Sequence, residues 1–250
     1  MTKLEDKVLL VCGAATGIGA AVAQRLHADG ARVAIADINE AGAQALADAL
    51  GDKALAISYD QSSEESIQQL IDTVIEHYGQ LDGVLANAAD MQAILEDGDL
   101  LANGADIWRR TLDVNVSGTA LLFRAAIPHL EARGGTLLAT SSDAATVGEA
   151  TRVAYAASKA AINAICRHAA NRWGKQGIRC NVISPGLIMT EQLKTNLDDS
   201  LIEALLANTP SPRHGTPEDI AAAAAFLFSE DGEWVNGQVW HVNGGVALTN

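Results

Sequence analysis

The sequence is short of positive charge. Lysine and arginine number 17 against 31 aspartates and glutamates, for a formal net charge of -14 at neutral pH. Such a chain offers no broad basic surface, which argues against general nucleic-acid binding and against docking on anionic membranes. Cysteine is scarce too. Cys12, Cys166 and Cys180 are odd in number, widely spaced and without a CxxC pair, which reads as reduced thiols in an intracellular protein. The six histidines, from His27 to His241, form no HxxxH or HExxH cluster, so no metal site is expected. No apolar stretch reaches membrane-spanning length without a glycine or a charge. The opening "MTKLEDKVLLVCG" has an apolar run too brief for a secretory signal and reads as a first strand. A soluble, cytoplasmic protein is the expectation. No repeat of solenoid period, low-complexity block or linker divides the 250 residues, so one domain is expected over 1–250.

What the chain does have is hydrophobic residues, 48% of the total, enough for a large core. They alternate between two patterns. Continuous apolar runs at 7–12, 32–37, 53–58, 81–88, 135–142 and 178–184, and the closing "GQVWHVNGG", have the character of strands buried on both faces. Between them lie stretches of helical period, several opened by a serine or acidic cap and closed by glycine. An alternation repeated about seven times predicts an α/β fold, a doubly wound parallel sheet with helices on both faces. Residues 187–214 interrupt it, with Pro185, Gly186, Pro210 and Pro212 around them. They follow the C-terminal end of a strand, where such sheets bind ligands. A mobile lid is expected there, an ordinary surface excursion being the alternative.

"CGAATGIGAA" joins the first strand to the first helix. Its glycines permit a tight turn and close approach to a pyrophosphate, and the helix N-terminus offers unpaired N–H groups and a positive dipole end. Gly13, Thr16, Gly17, Ile18 and Gly19 are the candidate contacts. Asp37, with Ile38 beside it, ends the second strand. A carboxylate there accepts hydrogen bonds from both hydroxyls of an adenosine ribose and repels a 2′-phosphate. No arginine or lysine stands at 14–16 or 38–39 to neutralise such a phosphate, so NAD is expected over NADP. The competing role for Asp37 is to cap the following helix.

"VAYAASKAAIN" at 153–163 places Tyr155 and Lys159 at i and i+4 of a helix otherwise rich in small residues, on one face. An ammonium beside a phenol favours the phenolate, and a phenol so tuned exchanges protons with an alcohol or carbonyl near neutral pH. The plain alternative is a tyrosine packed beside a snorkelling lysine. Ser142 ends a strand upstream, where its hydroxyl can reach a substrate oxygen. Ser141 is offset by one residue and so faces the other way. Asn115 lies in a helical pattern passing the same region.

With "GAATGIG", Asp37, "NAA" at 87–89, "VNVSG" at 114–118, Ser142, "YAASK", "PGLIMT" at 185–190 and "GQVWHVNGG", the chain resembles the short-chain dehydrogenase/reductase family over nearly its whole length. The resemblance implies a Rossmann-type fold, a nicotinamide cofactor and a homotetramer packed through helices around 102–132 and 153–175 and the C-terminal segment. It makes Tyr155 the general acid/base, Lys159 the holder of the nicotinamide ribose, and Ser142 the group that orients the carbonyl or carbinol. Asn115 supports a water-linked proton path. Asp60 and Gln61 become the adenine contact, and Asn87 an adenosine-side backbone position. Pro185 and Gly186 join the cofactor site, with Ile188 and Thr190 at the nicotinamide carboxamide. The sequence departs from the family's usual pattern at Cys12, where threonine is common, and at Ala86 and Ala89.

The segments expected around the substrate, Ala144 to Thr151, Met91 to Leu95, and Leu187, Met189, Leu193, Leu197, Leu201 and Leu205 of the lid, are mainly apolar apart from Asp143 and Glu149. Leu193, Leu197 and Leu201 fit one amphipathic helix packed down on the protein. Arg152 is the one candidate anion clamp. A neutral, fairly hydrophobic secondary alcohol or ketone is the expected substrate. The rivals are a 3-oxoacyl thioester reductase or diol dehydrogenase on the same scaffold, and a non-catalytic dinucleotide sensor.

Overall fold

The apolar runs become seven parallel strands: β1 (Val8–Cys12), β2 (Arg32–Asp37), β3 (Ala54–Ser58), β4 (Gly83–Ala86), β5 (Gly135–Thr140), β6 (Ile178–Pro185) and β7 (Val239–Val242). The computed structural model describes residues 4–196, 198–207 and 209–247. The strands lie in the order β3-β2-β1-β4-β5-β6-β7. Side chains of β1 alternate between the faces, and each face finds a separate apolar core. Leu9 and Val11 meet α1 (Gly17–Ala28), α2 (Glu40–Leu50) and α10 (Pro217–Phe228). Val8, Leu10 and Cys12 face the layer of α3 (Glu64–Tyr78), α6 (Thr119–Leu130) and α7 (Val153–Trp173). The chain winds outward from β1 in one direction and from β4 in the other. That reversal opens a crevice at the C-terminal ends of β1 and β4.

Three elements differ from the sequence reading. A short helix, α4 (Met91–Glu96), precedes α5 (Ala105–Leu112). The long helical pattern that follows is not uniform: Asp113–Gly118, between α5 and α6, is π-helical, a widening of the helix frequent at functional sites. The region 187–214 holds two short helices, α8 (Glu191–Asn196) and α9 (Asp199–Ala207). The single packed-down helix through Leu193, Leu197 and Leu201 is therefore corrected. Asp198 starts a new helix, its Oδ1 accepting from Leu201 N–H at 2.9 Å and from the Ser200 hydroxyl at 2.6 Å. Leu193 is half-buried and Leu201 exposed, while Leu197 lies outside the described residues. Both ends of the region are fastened together, with Ile188 bridged to Gly215 and Met189 N–H donating to the Gly215 carbonyl at 2.8 Å. No helix among the described residues is long and apolar enough to cross a membrane.

The start of α1 tolerates no side chain at Gly19, where a Cβ would lie 2.0 Å from the Gly13 carbonyl oxygen. Gly19→Ala is expected to destabilise the fold by about 2 kcal/mol or more, read as a lower midpoint in thermal unfolding. An unchanged midpoint would contradict this packing.

Candidate active site

The turn from β1 into α1 presses against the end of β4. Gly13 has φ +73°, and a Cβ on it would come within 2.7 Å of the Ala88 backbone. Asn87 fastens the same contact, its Nδ2 donating to the Gly13 carbonyl at 2.9 Å. A Cβ on Gly17 would sit 3.4 Å from Cγ2 of Thr190, so the turn and the segment after β6 face each other across a narrow slot. Thr16 starts α1 without a side-chain cap, and no acidic residue occupies the first turn. The helix N-terminus thus presents bare N–H groups and a positive dipole end, with Ile18 half-buried beside them.

Asp37 binds back to this turn. Its Oδ2 accepts from Ala15 N–H at 2.8 Å and its Oδ1 from Asn39 N–H at 2.9 Å. The capping role for α2 belongs to Asn39, whose side chain accepts from Gly42 N–H. Ile38, 73% exposed, forms an apolar ledge beside the carboxylate. Asp60, just past β3, accepts from the Ser62 N–H and hydroxyl at 2.8 and 2.7 Å and remains partly exposed. Gln61 is different. Its side chain is buried and committed to the interior, donating to the carbonyls of Val114 at 2.8 Å and Ala88 at 3.2 Å and accepting from the Tyr59 hydroxyl at 2.8 Å. Of the pair expected at the adenine, only Asp60 keeps an accessible side chain.

The reaction-centre residues gather at the end of β5. The Ser141 hydroxyl donates to the Lys159 carbonyl at 3.1 Å and is buried. The Ser142 hydroxyl instead accepts from Ala144 N–H at 3.2 Å and lies close enough to the Tyr155 phenol to lower its pKa. Lys159 Nζ is buried, donates to the Thr140 carbonyl at 2.8 Å and stands 5.5 Å from the centre of the Tyr155 ring.

Burial dominates the electrostatics of this pair. Burial pushes the Tyr155 phenol above its ordinary range. The Ser142 hydrogen bond and the Arg152 guanidinium pull it back only in part, and Glu149 adds to the rise. Burial also pulls the Lys159 ammonium down to about 8. Both charged forms lose solvation in the same dry site, and that loss is the largest influence on each.

Asn115 sits in the π-helical segment, fully buried. Its Nδ2 donates to the Ser158 hydroxyl at 3.0 Å and its Oδ1 accepts from Asp90 N–H at 3.1 Å, while Ser158 donates to the Tyr155 carbonyl at 2.7 Å. Pro185 ends β6, with Gly186 N–H bonded to the Val242 carbonyl at 3.3 Å, and Ile188 is buried just beyond it.

Three contributors went unread in the sequence. Asp97 receives the Tyr155 backbone N–H at 2.7 Å. Asp143 is buried, its Oδ1 accepting from Ser184 at 3.3 Å and pairing with His241 Nδ1 at 3.0 Å. Ser158 bridges Asn115 to the tyrosine. Asp97, Asp143 and Ser158 each make a contact to a segment distant in sequence, which leaves no local signal. The cysteines are buried packing residues, and burial pushes the Cys12 thiol up to about 12.

A family model described as enoyl-(acyl carrier protein) reductase matches residues 13–247. An oxidoreductase of Methylorubrum extorquens is 39% identical over 98% of this chain and 100% of its own length. D-threitol dehydrogenase of Mycolicibacterium smegmatis is 37% identical over 98% of this chain and 95% of its own. Among solved structures, a 7α-hydroxysteroid dehydrogenase complexed with NADH and 7-oxoglycochenodeoxycholic acid superposes with a TM-score of 0.90 at 34% identity, over 97% of this chain and 95% of that one.

Lys159 titrates near 8 in the folded protein against 10.5 in an unperturbed side chain. The unfolded chain therefore binds the proton more tightly, and stability rises with pH through that window. The raised thiols of Cys12 and Cys180 act in the opposite sense from about 9 upward, and the raised tyrosines from about 10. The thermal midpoint of the native protein minus that of Lys159→Met is expected to rise from pH 8 to 10, since the thiols and tyrosines are common to both. Parallel profiles would contradict the buried, depressed ammonium.

Proposed function

The chain belongs to the short-chain dehydrogenase/reductase family, and we propose that it is an NAD(H)-dependent oxidoreductase interconverting a secondary alcohol and its ketone. The observation that carries this reading is the meeting of the Ser142 hydroxyl, the Tyr155 phenol and the buried Lys159 at the mouth of the crevice beside the glycine turn. The glycine turn fits a dinucleotide, because bare backbone and an uncapped helix N-terminus suit a pyrophosphate. Gly13, Thr16, Gly17, Ile18 and Gly19 hold that group. Asp37 and Ile38 receive the adenosine ribose, and the Asp37 carboxylate turns away a 2′-phosphate. Asp60 and Asn87 flank the adenosine side. Pro185, Gly186, Ile188 and Thr190 border the nicotinamide side. A nicotinamide bound there supplies or accepts the hydride.

The remaining work belongs to the chain's own side chains. Tyr155 accepts the carbinol proton at its phenolic oxygen in oxidation and returns it in reduction. Ser142 shares the same substrate oxygen and steadies the charge developing on it. Lys159 places a cation behind the phenol and reaches the ribose. Asn115, held by Ser158 and Asp90, supports the exit of the proton to solvent. Residues 187–214 act as a lid over the site, with Ile188 bridged to Gly215 where its ends meet. The same reading carries a soluble, cytoplasmic homotetramer.

Ala144 and Met189 are buried and apolar, and the Glu149 and Arg152 charges pair with each other at 2.7 Å. A neutral, fairly hydrophobic substrate suits that lining. One observation favours a diol as the second reading. Glu149 Oε2 is buried with no hydrogen-bond partner among the described residues, and Glu149 acts electrostatically on Tyr155. A second substrate hydroxyl is the donor such an oxygen lacks.

The test is NADH formation from NAD across hydrophobic secondary alcohols and vicinal diols, with Tyr155→Phe in parallel. Turnover is expected to fall about 100-fold or more in the variant. Full activity in Tyr155→Phe would remove the phenol from the mechanism. No turnover across the panel, with NADH bound tightly, would favour the sensor.

A further inference from the structure

We propose that Asp97 is a positioning residue for Tyr155, capping from a distant loop the helix that carries the reaction centre. The head of α7 has no cap of its own. Arg152 stands at the N-cap position with φ 63° and ψ 39° and gives the helix end no side-chain hydrogen bond, its guanidinium pairing with Glu149 instead. That left-handed conformation is strained for a side chain branching from an ordinary Cβ, and it persists only where surrounding contacts impose it. The contacts come from Asp97 and Gly98, between α4 and α5. Arg152 N–H donates to the Asp97 carbonyl at 3.3 Å and Val153 N–H to the Gly98 carbonyl at 3.4 Å. Ala154 N–H donates to Asp97 Oδ1 at 3.3 Å and Tyr155 N–H to Asp97 Oδ2 at 2.7 Å. Successive N–H groups from Arg152 to Tyr155 are thus taken by two residues remote in sequence.

Asp97 is itself held fast. It is 6% exposed. Asn103 Nδ2 donates to its Oδ1 at 2.6 Å, and Gly98 N–H donates to Asn103 Oδ1 at 2.7 Å. Asp99 braces the rest of the turn by accepting from Leu101 and Ala102 N–H at 2.8 and 2.9 Å. The shortest bond into α7 ends on the amide of Tyr155, so the base of the phenol side chain is fixed directly by this carboxylate. An ordinary local cap would satisfy the helix end without tying the tyrosine to the segment that starts at Met91, which borders the same crevice.

The carboxylate also offsets the positive end of α7 beneath the phenol. The charged groups that face Tyr155 are Arg152, Glu149 and Lys159. Removing the Asp97 charge leaves the positive helix end uncompensated and favours the phenolate. A residue that served stability alone would not shift that balance.

The readout is the phenolate absorbance titration of Tyr155, obtained as the difference between each protein and the same protein carrying Tyr155→Phe. Asp97→Asn keeps size and one acceptor while removing the charge. Its Tyr155 titration is expected to move down by about one pH unit. Asp97→Ala should move it at least as far. With a substrate in hand, its kcat should fall about tenfold or more with little change in KM. If Asp97→Ala fails to fold, Asp97→Asn alone decides the matter. A Tyr155 titration unchanged in Asp97→Asn, whatever happens to the thermal midpoint, would overturn the proposal. The turnover arm rests on the proposed dehydrogenase activity, but the titration needs no substrate and is unaffected by the failure of that reading.

Discussion

The lack of a side chain at Gly13 and Gly19 is the constraint from which the site grows. A Cβ at either position would run into backbone, Ala88 in one case and the Gly13 carbonyl in the other. Only because both are bare does the turn drop low enough for α1 to begin at the end of β1. Ala15 N–H then reaches the Asp37 carboxylate and Asn87 reaches the Gly13 carbonyl. The ends of β2, β1 and β4 are thereby locked around one crevice. The uncapped N-terminus of α1 and the placement of the Asp37 carboxylate beside it are consequences of the same turn.

On the other side of the crevice the governing quantity is hydration. Tyr155 and Lys159 share a helix face at the end of β5, where neither charged form is well solvated. The Thr140 carbonyl takes one lysine proton and the Ser142 hydroxyl meets the phenol. Burial is the largest influence on both groups, raising the phenol and lowering the ammonium. Any group that completes the site changes this balance by adding polar partners to both. The fixed sheet ends and the braced head of α7 keep the geometry constant while it does so.

Much of this was legible because the chemistry is local. The β1 turn, Asp37, and the Tyr155–Lys159 pair each lie within one strand, turn or helix, where period and spacing settle which side chains share a face. The strand alternation predicted the sheet for the same reason. What escaped were long-range partners. Gln61 reads as an exposed polar residue after a strand, yet its amide is spent on Ala88 and Val114. Asp97 resembles one more acid in a polar loop until α7 folds onto it. The π-helical turn at Asn115 spans only six residues, too few for its own period to be read against a 3.6-residue pattern. The lid's break at Asp198 went unread, because the leucine spacing around it pointed to a continuous helix.

Function at this site depends first on whether the glycine turn and Asp37 together select the dinucleotide. Calorimetric titration of the protein with NADH and with NADPH measures this without any knowledge of the substrate. The expected result is NADH binding at least about tenfold tighter, since a 2′-phosphate set against the Asp37 carboxylate loses more than about 1.4 kcal/mol. Equal or tighter binding of NADPH, or no binding of either, would contradict the selective role of Asp37 and of the turn it holds.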